Sequence, residues 1–192
     1  MAADNNSTIG ITGTPGTGKK SVGHIVANML GYRFLDLNKL AFESRAVQAG
    51  SEEDFEVDPK KLRGYVLQKI KGGRVVLVGH LLPHILSTGE VDFVAVLRCS
   101  PLELEKRYAE RGYSEAKIRE NISSEILDIC FADALNRFNA NTIAEFDTTG
   151  RQPSAVAEEV VMVHRGLKKR SVGMVNWLSD RSAKRFIKRY LR

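Results

Sequence analysis

A glycine-rich segment that ends in two lysines and a serine lies near the beginning of the chain. Residues 13–21 read Gly-Thr-Pro-Gly-Thr-Gly-Lys-Lys-Ser; a short apolar run precedes them, and a stretch with helical periodicity follows. In a strand–loop–helix unit of this kind, backbone N–H groups surround the phosphates of a nucleotide and the lysine reaches the outer phosphates. The predicted ATP ligands in this segment are Gly13, Gly16, Thr17, Gly18, Lys19, Lys20 and Ser21. The sequence therefore predicts a P-loop, in which Lys19 also stabilises the phosphoryl group during transfer.

One position of this loop departs from the usual pattern. The residue after the lysine is normally Ser or Thr, whose hydroxyl holds Mg²⁺, but this chain has Lys20. An ammonium group repels Mg²⁺, and the apolar strand before His80 ends in Val78 and Gly79, without the carboxylate that many P-loop enzymes place there. We therefore predict that Mg²⁺ is held mainly by the ATP phosphates and water, and we assign no metal ligand in the protein; the alternatives are that another residue holds the ion or that the metal matters less than usual. In the alternative interpretation, Lys20 points to solvent and a water replaces the hydroxyl.

Three further residues are candidates for the catalytic set that includes Lys19. His80 directly follows a buried strand, where it could accept a proton, bind a phosphate or orient water. Arg107 and Arg111 are four residues apart on one predicted helix face, and arginine binds phosphate oxygens in pairs. The alternatives are a histidine bonded to a loop carbonyl, and an ordinary salt-bridged helix face with the neighbouring glutamates.

The elements that position these residues alternate regularly. Short apolar segments predict strands at 9–12, 32–37, 74–79, 92–97 and 142–146. Helical periodicity and capping residues predict helices at 19–30, 38–49, 58–71, 100–111, 114–138 and 153–164. Five strands alternating with helices indicate an α/β fold with a parallel sheet covered on both faces and ligands at the carboxyl ends of the strands.

Composition limits the class of protein. The 192 residues fit one domain, and no window contains the roughly 20 apolar residues of a membrane span. The first residues lack the pattern of a secretory signal, so we expect a cytoplasmic protein, or also a nuclear one if the source is eukaryotic. The two cysteines, Cys99 and Cys130, suit reduced thiols in a packed interior and predict neither a disulfide framework nor a metal cluster.

The net charge of +6 is unevenly distributed. Residues 165–192 hold ten Lys or Arg and one Asp, so the other 164 residues carry a net charge of −3. Apolar residues at helical spacing predict a basic amphipathic helix in this C-terminal extension: Ala183, Phe186, Ile187, Tyr190 and Leu191. We favour contact with ribosomal RNA through phosphate neutralisation, while binding to a protein partner or packing on the domain stay alternatives. A membrane partner is not predicted.

Several motifs together resemble one known family. They are Gly-Thr-Pro-Gly-Thr-Gly-Lys, the strand that ends at His80, Val-Leu-Arg98, Glu105-Lys-Arg107, Glu110-Arg-Gly-Tyr113-Ser, Glu120-Asn-Ile-Ser and Glu125-Ile-Leu. From about Thr8 to Asp147 the chain resembles the adenylate kinase isoenzyme 6 or CINAP-like family, with the extension outside the match. The resemblance implies a nucleoside monophosphate kinase fold over residues 1–164, with an NMP-binding insertion near 36–59 and a lid near 110–120.

The same resemblance implies function. It implies adenylate kinase and ATPase activity, and a role in small ribosomal subunit maturation through a platform ribosomal protein. The family's ATP contacts fall on Gly16, Gly18, Lys19, Lys20, Ser21 and Arg111, and its strand-end histidine falls on His80. Many members have threonine at position 20 and aspartate at position 78, so both departures of this chain concern magnesium.

The acceptor nucleotide, AMP, is expected near Asp36 and Asn38, at the end of the second strand, although an aspartate there is equally typical of a helix cap. Three hypotheses remain open from the sequence. The first is an adenylate kinase, the second is an ATPase that acts on a ribosomal assembly intermediate, and the third is a nucleotide-binding assembly factor with little or no phosphoryl transfer.

Overall fold

A parallel sheet forms the centre of the computed structural model, which describes residues 7–50, 55–180 and 183–191. The strands are β1 (Ser7–Thr12), β2 (Arg33–Asp36), β3 (Val47–Gly50), β4 (Phe55–Val57), β5 (Arg74–Val78), β6 (Phe93–Arg98) and β7 (Ile143–Asp147). The central sheet has the order β2-β5-β1-β6-β7, and every neighbouring pair is parallel. The predicted five-stranded parallel sheet is confirmed.

Helices cover both faces of this sheet. The α-helices of the described residues are α1 (Lys19–Leu30), α2 (Leu37–Glu43), α3 (Pro59–Ile70), α4 (Leu82–Ile85), α5 (Pro101–Glu110), α6 (Glu115–Ile126), α7 (Ile129–Arg137), α8 (Pro153–His164) and α9 (Lys184–Tyr190). Because side chains alternate along a strand, Val75 and Leu77 of β5 pack with α2, α3, α4 and α7, whereas Val76 and Val78 pack with α1 and α8. The sheet is therefore buried on both faces, as its near-continuous apolar strands require.

Local capping signals set several helix starts. The Asp58 side chain accepts hydrogen bonds from the backbone N–H groups of Lys60 and Lys61, and Pro59 occupies the first helical position of α3. Ser100 and Ser114 cap α5 and α6 in the same way. These starts agree with the sequence predictions to within one residue.

The predicted helix at 38–49 is wrong in its second half. Helix α2 ends at Glu43, Arg45 adopts a left-handed conformation with φ of 55°, and residues 47–50 form β3, which pairs with β4 in an antiparallel ribbon. The strand that pairs with β3 is β4, which lies beyond the residues 38–49 whose helical periodicity gave the prediction. Tertiary pairing has overridden the local pattern.

The predicted single helix at 114–138 is also wrong, because α6 ends at Ile126 and α7 begins at Ile129. Asp128 interrupts the helix with a φ of 57°, and its carboxylate forms an ion pair with the buried Arg98. The break therefore coincides with an ion pair to a partner 30 positions away in the sequence.

The C-terminal extension packs on the domain. Phe186 and Tyr190 of α9 lie in an apolar cluster formed with residues of α5, α6 and the end of β6: Cys99, Leu104, Tyr108, Ile122 and Ile126. The predicted basic helix is therefore present over Lys184–Tyr190, with its apolar stripe packed inward and Lys184 and Lys188 exposed. Among the residues that the structure describes, no helix has the length and apolar character needed to cross a membrane.

Candidate phosphate-binding site

The loop between β1 and α1 is shaped by close packing against the carboxyl end of the sheet. Gly13 has a φ of +139°, and a Cβ atom at this position would lie 2.2 Å from the carbonyl oxygen of Leu97. At Gly16, with φ of +87°, a Cβ atom would lie 2.8 Å from the ring of Tyr108. Neither position accepts a side chain, so these two glycines fix how tightly the loop closes.

The amine of Lys19 lies over the loop that it follows. Its Nζ donates to the carbonyl oxygens of Gly13 at 2.7 Å and Thr14 at 2.8 Å. Burial is the main reason that the pKa of Lys19 is lowered to about 8; Cys130 and Glu125 oppose the shift, and Arg111 adds to it. A phosphate would favour the charged amine, and the N-terminus of α1 is a position that suits an anion.

A buried carboxylate holds the loop from the other side. Thr14 Oγ1 donates to Glu125 Oε2 at 2.6 Å, while Arg98 Nε at 2.9 Å and the backbone N–H of Cys99 at 3.1 Å donate to Glu125 Oε1. Trp177 Nε1 donates to the same oxygen at 2.9 Å. The side chains of Arg98 and Glu125 are each 1% exposed, so these hydrogen bonds compensate for the loss of water around both charges.

Arg98 extends this arrangement to a second buried carboxylate. Its Nη1 donates to Glu145 Oε1 at 2.7 Å, and its Nη2 pairs with Asp128. Burial disfavours the charged guanidinium, but Glu125 and Asp128 outweigh that effect and raise the pKa of Arg98. The result is a cluster of one guanidinium and three acidic side chains directly beneath the loop.

Helix α5 holds the outer turn of the loop. Arg107 Nη1 donates to the carbonyl oxygen of Gly16 at 2.7 Å, its Nη2 pairs with Glu103, and the hydroxyl of Tyr108 donates to the carbonyl of Pro15. Arg107 thus lies against the loop backbone and is also salt-bridged, as the alternative interpretation expected. The exposed Arg111, one turn later, is close enough to contribute to the low pKa of Lys19. Their catalytic roles stay predictions.

Lys20 and Asp36 form an ion pair at the opposite side of the loop, with Nζ and Oδ2 2.7 Å apart. The other oxygen of Asp36 accepts the backbone N–H of Asn38 at 3.0 Å, so Asp36 is also the N-cap of α2. The Lys20 side chain is 64% exposed and that of Asp36 is 15% exposed. The helix-cap alternative for Asp36 is what the structure shows, and AMP binding by Asp36 and Asn38 stays a prediction.

His80 lies just beyond the carboxyl end of β5. Burial, followed by the positive charge of Lys19, lowers the pKa of His80 to about 4. Thr12 Oγ1 donates to the His80 carbonyl at 3.4 Å, which ties its backbone to β1. A histidine that is neutral at pH 7 is suited to hydrogen-bond a phosphate and poorly suited to hold a proton, so the low pKa of His80 favours phosphate binding over proton acceptance.

The residues present do not fit a magnesium ion ligated directly by the loop. Lys20 replaces the usual hydroxyl, Val78 is apolar, and the Thr17 hydroxyl donates to the carbonyl oxygen of Thr14 at 2.9 Å. Ser21, the nearest remaining hydroxyl in the sequence, is on an exposed residue. Within residues 7–50, 55–180 and 183–191, no group of three or more His, Cys, Asp or Glu is arranged to hold a metal ion.

Sequence reasoning missed several residues that build this site. Glu125 and Arg98 entered only as parts of a resemblance, although a charge that ends an apolar strand signals a buried partner. Cys130, whose Sγ lies 3.8 Å from Thr14 Oγ1, was read only as a core thiol. Asn121, one turn before Glu125 on α6, is buried, and its Nδ2 has no hydrogen-bond partner within the part of the chain that the structure describes.

Comparison with known proteins agrees with this geometry. The AAA domain family matches residues 9–128, more than half of the chain. A protein named "Putative adenylate kinase" from Thermococcus kodakarensis is 39% identical over 170 residues, covering 88% of this chain and 92% of that protein. A protein of the same name from Methanocaldococcus jannaschii is 31% identical over 173 residues, covering 88% and 92%. The chain belongs to this family of P-loop, nucleoside-monophosphate-kinase-like proteins.

These family alignments correct one expectation about the extension. An alignment that covers 88% of the chain is longer than residues 8–147, and longer than residues 1–164. It therefore reaches into the C-terminal extension, which the sequence resemblance had left outside the match. The extension is at least partly a feature of the family.

Solved structures show the same fold at low sequence identity. Shikimate kinase from Acinetobacter baumannii superposes with a TM-score of 0.58 at 16% identity, covering 87% of this chain and 97% of that chain. A gluconokinase from Sinorhizobium meliloti gives a TM-score of 0.55 at 15% identity, covering 86% and 95%. At such identities the likeness establishes the P-loop kinase fold.

Proposed function

We propose that this protein is an adenylate kinase that transfers the γ-phosphoryl group of ATP to AMP and forms two ADP. The observation that carries the proposal is the position of Lys19, whose amine lies over the loop carbonyls at the N-terminus of α1. The name of the archaeal relatives supports the choice of AMP as acceptor. Within the family, we place the chain with the adenylate kinase isoenzyme 6 or CINAP-like proteins.

The proposed roles follow from charge and position. The loop amides and Lys19 bind the ATP phosphates, and Lys19 stabilises the phosphoryl group in transit. Arg107 and Arg111 supply further positive charge from α5, and neutral His80 donates a hydrogen bond from the end of β5. Mg²⁺ enters with ATP and is held mainly by phosphates and water, because the loop offers it no side chain.

The acceptor lies on the β2 side of the loop. Residues 36–59 contain α2 and the β3–β4 ribbon, and we propose that this insertion binds AMP beside Asp36 and Asn38. The turn between α5 and α6, together with the beginning of α6, corresponds to the proposed lid at 110–120. Closing it over the two nucleotides would exclude water from the reacting phosphates.

We further propose that the protein hydrolyses ATP and acts in small ribosomal subunit maturation. A platform ribosomal protein is the proposed protein partner, and the basic residues of the extension at 165–192 are the proposed ribosomal RNA contact. Lys184 and Lys188 of α9 support this proposal, because both are exposed while the apolar side of the helix is packed. The alternative function is a nucleotide-binding assembly factor with little or no phosphoryl transfer.

Chromatographic measurement of ATP, ADP and AMP decides between these functions. We expect two ADP for each ATP consumed when AMP is present, and loss of this product in Lys19→Ala. Lys71→Ala is the matched control, because it removes an exposed lysine at the end of α3, on an element that does not form the loop. Phosphate release without AMP would support the ATPase, whereas ATP binding without either product would support the assembly factor and reject the kinase.

The RNA contact is tested separately, by fluorescence anisotropy with small-subunit ribosomal RNA fragments at several salt concentrations. The double variant Lys184→Glu/Lys188→Glu should weaken binding and reduce the slope of affinity against salt by about two. Lys60→Glu/Lys61→Glu, in the first turn of α3, is the control of equal charge change. Equal losses in the two double variants would reject a specific role for α9.

A further inference from the structure

The C-terminal extension is connected to the domain through two buried carboxylates. Glu145 of β7 donates its backbone N–H to the carbonyl oxygen of Ser171 at 2.8 Å and accepts the N–H of Met174 on its Oε2 at 2.7 Å. Trp177 then donates its indole N–H to Glu125 Oε1 at 2.9 Å. Residues 171–177 therefore run from the edge strand β7 to Glu125, the carboxylate that also contacts the P-loop.

Glu125 joins the extension to the loop, because its two oxygens contact different parts of the molecule. Oε1 accepts the Trp177 N–H, and Oε2 accepts the Thr14 hydroxyl at 2.6 Å. The carbonyl oxygen of Thr14 in turn accepts Lys19 Nζ at 2.8 Å. One continuous set of hydrogen bonds thus runs from the extension to the lysine that reaches the phosphates.

The residues of this connection are buried, so a change in one of its hydrogen bonds affects the groups next to it. Thr14 is fully buried, the Glu125 side chain is 1% exposed, and Trp177 is 7% exposed. Water does not readily replace a bond that is lost in such surroundings, so the carboxylate must move or remain short of a donor. Any movement of Glu125 is transmitted to Thr14, and hence to the loop.

We propose that Trp177 is a positioning residue for the nucleotide phosphates, acting through Glu125 and Thr14 on the P-loop. This role rests on the proposed nucleotide binding. Because coupling between two sites is reciprocal, the bound nucleotide also stabilises the docked extension. The extension then helps to position the phosphate site, in addition to supplying positively charged residues.

A tryptophan that served only as an apolar anchor would behave differently from a positioning residue. Trp177→Phe keeps an aromatic ring and removes the N–H donor. Tyr190→Phe is the matched control, since it removes a donor of the same extension whose partner is Glu105 at 2.6 Å, on the surface of α5. Thr14→Val removes the hydroxyl through which the effect of Trp177 is transmitted.

Isothermal titration calorimetry with ADP and Mg²⁺ provides the test. We expect Trp177→Phe to weaken ADP binding about fivefold, the lower end of typical coupling between sites, and Tyr190→Phe to leave it unchanged. In a Thr14→Val background, Trp177→Phe should cause no further loss, because the connection is already broken. Thermal unfolding of each variant verifies that it is folded.

Two outcomes overturn the positioning role while nucleotide binding stands: Trp177→Phe binds ADP as the wild type does, or the same fivefold loss persists in the Thr14→Val background. A wild-type protein that binds no ADP would reject the proposed function as well, so the two failures are distinguishable.

If Trp177→Phe does not fold, the proposal is tested by the tryptophan fluorescence of the wild-type protein, because Trp177 is its sole tryptophan. Saturating ADP should then reduce acrylamide quenching of its fluorescence, and do so less in Thr14→Val; identical quenching with and without ADP would overturn the role.

Discussion

The two flanks of the P-loop are built on different physical principles. On the β6 side, Arg98 and Glu125 are buried and share several hydrogen bonds with the loop and the extension. On the β2 side, Lys20 and Asp36 form a single ion pair whose lysine is largely exposed. Buried charges with several partners fix the shape of the loop, whereas a solvent-screened pair costs little to rearrange when a ligand arrives.

Charge removal on each flank should give very different losses of stability. Arg98→Met leaves Glu125 and Glu145 buried without their main cation, so we expect the free energy of unfolding to fall by about 3–5 kcal/mol. Lys20→Met should cost at most about 1 kcal/mol, because its pair with Asp36 is exposed to solvent. Urea denaturation of both variants measures the difference, and equal losses would show that the two flanks are alike.

Nucleotide binding should be linked to the protonation of Lys19. With a pKa of about 8 the amine is largely uncharged at pH 9, and a bound phosphate favours its charged form. Binding of ADP should therefore take up a proton above pH 8, and affinity should fall as pH rises, by up to about tenfold per pH unit.

Calorimetry at pH 9 in two buffers of different ionisation enthalpy measures this proton uptake. Lys19→Arg is the control, since a guanidinium stays charged over this range and should give no uptake. Wild-type binding that is independent of pH between 8 and 9 would contradict the expected linkage.

His80 should make the fold sensitive to acid. Its pKa is about 4 in the folded protein, below the ordinary value of 6.5, so the unfolded chain binds the proton more tightly. Stability that is fully present above pH 6.5 is then lost as the pH falls towards 4, by on the order of 2 kcal/mol. Denaturant unfolding of wild type and His80→Asn across this range measures the effect, and parallel pH profiles would contradict it.

Restoring a hydroxyl on the exposed flank should change the magnesium requirement. In Lys20→Thr the repelling ammonium is gone and a hydroxyl is present, so we expect half-maximal ADP formation at about fivefold lower Mg²⁺, equivalent to about 1 kcal/mol. Lys20→Ala separates the loss of charge from the gain of a ligand. An unchanged magnesium titration in Lys20→Thr would mean that Lys20 does not influence the metal.

The sequence predicted those features that depend on neighbouring residues. Apolar runs located the five strands, and Asp58, Ser100 and Ser114 marked helix starts through bonds to residues two or three positions away. The spacing of the glycines and Lys19 placed the loop at the start of α1. Each of these signals is contained in a window of about ten residues.

Features that depend on distant partners could not be predicted in this way. The ribbon at Val47 forms because Val57 pairs with it, and the break at Asp128 accompanies its ion pair with Arg98. Within the site, spacing predicted that Arg107 lies near the phosphates, but not that its guanidinium donates to the carbonyl of Gly16. The bond between Trp177 and Glu125 joins residues 52 positions apart and has no local signal.

The central position of β1 affects the order in which the molecule can form. This first strand pairs with β5 and β6, so that Ser7 lies opposite Arg74 and Ile9 opposite Phe93. Such distant pairings must close long stretches of chain before they gain any stabilisation, which makes folding slow. During synthesis the loop at residues 13–18 is made early, whereas β6, against which Gly13 packs, and Trp177, which donates to the buried Glu125, are made later. A nascent chain that has exposed the loop therefore still lacks the partners that pack against the loop and hold Glu125 in the folded protein.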